Sequence, residues 1–181
     1  VRKKGHKHTA ADIEKMRNLS MYQIAVAMKI PKWKIVILAI WGRRMFKNHM
    51  RTIRVYPGMA ELIEELKNKG VKLFVVSTNN TANVTKYLTK HGLIDQFDNV
   101  YGGASFLGKA RAMRKAVVEN NVKATDVWCV GDERIDIHSA RKAGLKIVSV
   151  SWGYSSRDGL QALGPDAIVD TMPELRKILL G

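Results

Sequence analysis

Apolar residues follow two different rhythms along this chain. Ile13, Met16, Leu19, Ile24 and Met28 recur every three to five residues, which predicts a helix over about 10–28 with Thr9 as its cap. Pro31 opens a second predicted helix to about His49, with Trp33, Ile37, Ile40, Trp41 and Met45 on a broad apolar face. Together they make a small helical unit rich in Met, Trp and Lys, and Pro57-Gly58 forms the seam that ends it.

Beyond the seam, short apolar runs alternate with amphipathic stretches. Pro57 is expected to start a helix over MAELIEELKNK that Gly70 stops, followed by a strand over 72–76. A helix over 80–91 closes at Gly92, a weak strand covers 98–102, and a helix covers 109–121. Val127 to Val130 reads as a buried strand, 134–143 as a helix ended by Gly144, and Ile147 to Val150 as a strand. A short helix, a strand at Ala167 to Val169 and a last helix at Pro173 to Leu180 complete the pattern. The strands are apolar along both faces. That predicts an α/β fold, a Rossmann-like three-layer core with a parallel sheet between helices.

Charge sharpens the division at the seam. Of the net +15, residues 1–56 carry +12 and residues 57–181 carry +3. A basic front of this kind suits an anionic partner, whether nucleic acid, an acidic membrane or a phosphorylated substrate, and equally a solvated helix surface. An apolar fraction of 46% supplies a core and excludes global disorder. The single cysteine, Cys129, lies in an apolar run; it reads as core and points to a reducing cytoplasm. The longest apolar stretch, Ile35 to Trp41, is far short of the roughly 20 residues that span a bilayer, so no membrane association is expected.

In an open parallel sheet, ligands gather where the strands end. Past the first strand come Ser77, Thr78, Asn79 and Asn80; past the weak strand come Gly102, Gly103 and then Lys109; past the third come Gly131, Asp132, Glu133 and Asp136. Hydroxyls, amides, an ammonium and a carboxylate cluster suit phosphate handling with a hard cation. Mg²⁺ takes one or two carboxylates together with phosphate oxygens, and Lys and Ser or Thr neutralise and orient phosphoryl oxygens. Each residue has a plainer reading. Asp132, Glu133 and Asp136 suit a helix start, Ser77 a turn or cap, and Lys109 a solvated helix end. His6, His8, His49, His91 and His138 show no ligand spacing.

Taken together, these residues resemble the haloacid-dehalogenase superfamily of hydrolases, of the phosphoglycolate-phosphatase-like kind. YPGMAELIEELKNKGVKLFVVSTNN resembles the approach to that family's second motif, FLGKARAMRKAV its third and VGDERIDIHSARKAGLKIVSVSWGY its fourth. The resemblance implies that Ser77 and Lys109 bind the transferring phosphoryl group and that Asp132 with Asp136 serves Mg²⁺; Thr78 and Asn79, next to Ser77, could take its place and are expected to contact substrate. It implies a small phosphate monoester as substrate, hydrolysed through an aspartyl-phosphate. Residues 1–56 would be a helical cap, and residues 57–181 a core without its first strand. Trp152-Gly153-Tyr154 resembles the family's loop beside the active site.

The family's Asp-x-Asp nucleophile motif has no counterpart in this sequence. The strand carrying it would lie between those ending at Ser77 and Asp132, leaving two apolar strands without a neighbour. Three readings stay open: a chain lacking roughly thirty N-terminal residues, a truncated relative, or a partner chain that supplies the strand. The rivals to an enzyme are a binding protein without turnover and a nucleic-acid-binding module through residues 1–56, although no recognisable nucleic-acid motif supports the second. Substrate identity and oligomeric state are not fixed by the sequence.

Overall fold

In the computed structural model, the described residues are 31, 53–104 and 108–181. The helices expected over 10–28 and 31–49, and with them the cap assigned to 1–56, lie outside the described residues except for Pro31 and residues 53–56.

Helix α1 (Met59–Asn68) buries Leu62, Ile63 and Leu66 on one stripe. It starts two residues after Pro57. Gly58, at φ +82°, takes a left-handed turn that a helix cannot pass through, and the Met59 N–H closes that turn on the Tyr56 carbonyl at 3.0 Å. Strand β1 (Phe74–Val76) follows, then helix α2 (Thr81–Lys90), whose first turn is capped by the Asn80 side chain accepting from the Asn83 N–H. Strand β2 (Asn99–Tyr101) pairs parallel to β1, in the register Val75 to Val100. Helix α3 (Lys109–Glu119) leads to strand β3 (Trp128–Gly131), helix α4 (Arg134–Ala143) and strand β4 (Lys146–Val150). Gly144 ends α4 in the left-handed conformation, where its N–H meets the Arg141 carbonyl at 3.0 Å. A short helix α5 (Arg157–Gln161), strand β5 (Ala167–Val169) and helix α6 (Met172–Leu180) complete the order.

Burial explains why the strands read as apolar on both faces. Along β4, Val148 and Val150 join Leu62, Leu66, Val169 and Leu175 in one cluster. Ile147 points the other way, into a cluster with Met113, Ile137, Ala140, Leu145 and Leu160. Alternate residues of one strand thus feed two helical layers, the arrangement of an α/β Rossmann-like core. Ile147, Val148, Leu160 and Leu175 are fully buried.

The strands form two parallel groups, β1-β2 and β3-β4-β5. Helices stitch the groups together. Helix α1 sends Leu62 and Leu66 to the β4 and β5 side and Ile63 to a cluster with Val84, Leu88 and Leu93. Helix α3 packs against β1, β2 and α4, and Val76 of β1 touches the cluster around Ile137. Among the described residues, β1 has β2 as its one strand neighbour and β3 has β4, so each keeps one open side. Two expectations change accordingly. The strand over 127–130 is not buried throughout, because Val130 is 43% exposed on a strand with an open side. The strand expected from Lys72 starts at Phe74, because Asp98 ties the chain at Leu73: its carboxylate accepts the Leu73 N–H at 2.7 Å and its own N–H donates to the Leu73 carbonyl at 2.8 Å. No helix among the described residues is long and apolar enough to cross a membrane.

Candidate active site

The ends of β1 and β2 form one part of the site. The Ser77 N–H donates to the Tyr101 carbonyl at 2.9 Å, and the Ser77 carbonyl accepts from the Ala104 N–H at 3.1 Å, so the turn after β1 is bound to the turn after β2. The Ser77 hydroxyl oxygen accepts the Asn79 N–H at 3.1 Å. Asn79 is held by its neighbours: its carbonyl accepts from Gly103 at 2.6 Å, and its side-chain oxygen accepts from the Asn80 N–H and the Asn83 amide, both at 3.0 Å. Thr78, Asn79, Asn80, Asn83 and Gly103 line a small cavity of about 100 Å³. Thr78 and Asn79, expected to contact substrate, therefore share one concavity at the strand ends. Asn83 was not foreseen. The signal for it was the Asn80-x-x-Asn83 spacing at a helix start, where one amide caps and the other lies one turn along.

The second part is built on the turn from β3 into α4. Glu133 is the N-cap of α4 and Asp136 its third residue, and the two form a reciprocal capping box. One Asp136 oxygen, Oδ2, accepts the N–H groups of Asp132 at 3.2 Å and Glu133 at 3.0 Å. The other, Oδ1, takes the Lys109 ammonium at 2.5 Å. Lys109 and Asp136 are largely out of water, with side chains 13% and 7% exposed. Lys109 is therefore not the solvated lysine of the plainer reading, whereas Asp136 does serve its helix start. Gly131 makes room for this packing: a Cβ there would lie 2.5–2.6 Å from the Asp136 side chain.

Asp132 plays no capping part. Its Oδ2 accepts the Tyr154 N–H at 2.7 Å, and its backbone carbonyl accepts the Ser155 N–H at 3.1 Å. The loop Trp152-Gly153-Tyr154, read from the sequence as lying beside the site, thus wraps this carboxylate. Behind it, Trp152 stacks on Tyr56 with ring centroids 4.7 Å apart.

Burial and the neighbouring charges act together on Glu133. Burial raises the pKa of Glu133 above the ordinary carboxylate range, and the charges of Asp136 and Asp132 push it further against the pull of Lys109. Burial, with the charge of Asp136, pushes the Cys129 thiol up to about 12. A thiol of that kind is no nucleophile, in keeping with its reading as core. His138 is exposed on α4.

No group of three or more His, Cys, Asp or Glu among the described residues is arranged to hold a metal ion. The donor set nonetheless fits a hard divalent cation. Mg²⁺ needs only one or two protein carboxylates, and the carboxylate charges that add to the burial of Glu133 are what a nearby cation would offset. With Asp136 committed to Lys109 and two N–H groups, Asp132 is the better placed of the two expected ligands.

Comparison with known proteins adds an independent line. Residues 2–150 match the family model described as haloacid dehalogenase-like hydrolase. The phosphoglycolate phosphatase of Synechococcus elongatus is 29% identical over 164 residues, which are 91% of this chain and 77% of that enzyme. The pyrophosphatase PpaX of Bacillus mycoides is 31% identical over 137 residues, 74% of this chain and 63% of that protein. Of the phosphoglycolate phosphatase of Vibrio parahaemolyticus the chain spans 56%. A crystal structure of "a predicted phosphatase" from Clostridium acetobutylicum superposes with a TM-score of 0.77 at 27% identity, covering 88% of this chain and 76% of that one.

Proposed function

The chain belongs to the haloacid dehalogenase-like hydrolase family, and on that premise we propose that it forms the phosphate- and cation-binding part of a phosphatase acting on a small phosphate monoester. The observation that carries this reading is the Lys109–Asp136 pair beside Asp132, at the ends of parallel strands. A phosphatase must gather positive charge where phosphoryl oxygens sit and hold it without letting water disperse it. Lys109 is a partly buried ammonium with three N–H groups, one of them given to Asp136. Asp132 would hold Mg²⁺, which when bound supplies charge neutralisation to the phosphoryl group. Ser77, with Thr78 and Asn79 beside it, would orient phosphoryl oxygens or the polar remainder of the substrate.

The relatives named above act on different phosphate compounds, one group on phosphoglycolate and one on pyrophosphate by name. What they share is the phosphate, so the substrate class is argued from the phosphate alone. No residue of this chain is assigned the attack on phosphorus, because the sequence contains no Asp-x-Asp. Residues 1–56 are proposed to cover the site, their +12 charge drawing in anionic substrate. Loss of kcat/KM with rising salt tests that step.

The direct test is phosphate release from 2-phosphoglycolate and p-nitrophenyl phosphate by the 181-residue chain, with Mg²⁺ and with EDTA. Mg²⁺-dependent release that Lys109→Met and Asp132→Asn abolish supports the proposal. Binding of Mg²⁺ and phosphate without release would limit this chain to the binding part of the site, with the attack on phosphorus supplied from elsewhere. Binding of neither would refute both.

A further inference from the structure

Gly153 has a role that its backbone does not require. Its neighbour Tyr154 gives an N–H to Asp132 Oδ2 at 2.7 Å, and Ser155 gives one to the Asp132 carbonyl at 3.1 Å. For both bonds to form, residue 153 must pass directly over the Asp132 side chain. A Cβ at 153 would overlap Asp132 Cβ, Cγ and Oδ2. The nearest of these atoms, Asp132 Cβ, is bonded directly to the backbone, so rotating the carboxylate alone does not clear it. Gly153 is not among the glycines with a positive φ, so the requirement is one of space and not of backbone conformation.

The loop is also fixed at both ends. The Ser151 N–H donates to the Val169 carbonyl at 3.0 Å. Trp152 stacks on Tyr56 and packs against the cluster of Leu62, Val150 and Leu175. Ser155 is only 1% exposed, and Ser156 caps α5 by accepting the Gly159 N–H at 3.1 Å. A side chain at 153 therefore cannot be relieved by moving the loop, and Asp132 has to move instead.

We propose that Gly153 is the positioning residue of Asp132: the bare backbone at 153 sets the direction of the carboxylate that takes the divalent cation. The proposal rests on the cation site proposed for Asp132. Partners that orient a ligating carboxylate commonly set metal affinity by about 10- to 100-fold.

The experiment is Mn²⁺ binding, followed by electron paramagnetic resonance, to the 181-residue chain and to its Gly153→Ala and Asp132→Asn variants. The expected result is binding by the parent chain, none by Asp132→Asn, and binding weakened about 10-fold or more by Gly153→Ala. Binding by Gly153→Ala within twofold of the parent would overturn the inference while leaving the cation site standing. No Mn²⁺ binding by the parent would remove the cation site and the inference together. A thermal-unfolding cycle in EDTA covers a Gly153→Ala variant that folds poorly. Asp132→Gly removes the three atoms that a methyl at 153 would strike, so Gly153→Ala should lower Tm less in that background than in the parent. Equal losses in both backgrounds would show that residue 153 does not act through Asp132.

Discussion

Lys109→Met is the sharpest perturbation of this site. The Lys109 and Asp136 side chains are 13% and 7% exposed, and their charged atoms meet at 2.5 Å. Removing one partner of such a buried pair leaves the other charge uncompensated, at a cost of about 3–5 kcal/mol. Here the lower end applies, because Asp136 keeps the N–H groups of Asp132 and Glu133 at 3.2 and 3.0 Å. Lys109→Met should therefore destabilise the chain by about 3 kcal/mol. Asp136→Ala should cost about 1 kcal/mol more, since it also strips the first turn of α4 of its acceptor. The double variant should be no worse than Asp136→Ala, because removing Lys109 then takes away an unpaired ammonium and not a partner. Urea unfolding in EDTA measures all three. A loss below about 1 kcal/mol for Lys109→Met, the scale of a surface ion pair, or strict additivity in the double variant, would refute the argument that this pair is closed off from water.

Three further outcomes follow from other parts of the molecule. Glu133 holds its proton in the folded chain to a higher pH than the ordinary 4.5, so its share of stability falls as pH rises from that value through the raised one; Glu133→Gln should flatten the profile of Tm against pH in EDTA. Cys129, with its thiol pushed up to about 12, should resist iodoacetamide at mildly alkaline pH in the folded chain and react readily in urea; rapid labelling of the native protein would contradict the burial argument. Leu175→Ala, at a fully buried position where α6 meets β4 and β5, should cost about 2–5 kcal/mol in urea unfolding.

What could be read from the sequence was decided locally. The helix over 134–143 and its stop at Gly144 match the structure residue for residue, because the capping box and the left-handed glycine are both encoded within the helix ends. The strand at Ala167 to Val169 matches as well, since its apolar run is bounded by turn residues. What was misjudged depends on contacts distant in sequence. The start of β1 is set by Asp98, 25 residues beyond Leu73. The exposure of Val130 depends on what lies beside β3, which no property of the VWCV run reveals. The same holds in the site. Asp132 and Asp136 read alike in sequence, as two acids at a helix start. Only the fold separates them, by bringing Lys109 from 27 residues away to one and Tyr154 from 22 residues away to the other.

That separation governs how the site could work as a unit. Among the described residues, Asp132, Glu133 and Asp136 stand against one ammonium, that of Lys109, so the cluster is net negative, and the charges of Asp136 and Asp132 add to the burial that raises the pKa of Glu133. Such a cluster would repel a phosphate dianion. Lys109 cannot reverse this alone, since Asp136 already holds it. On the proposed function, the divalent cation at Asp132 therefore does more than assist: it changes the sign of the field that the phosphate meets. Cation and phosphate then bind as a linked pair, each raising the affinity of the other by the same factor, as any coupling between two sites requires. The position of one carboxylate, held by the Tyr154 N–H and the bare backbone of Gly153, would accordingly be felt in phosphate affinity as well as in cation affinity.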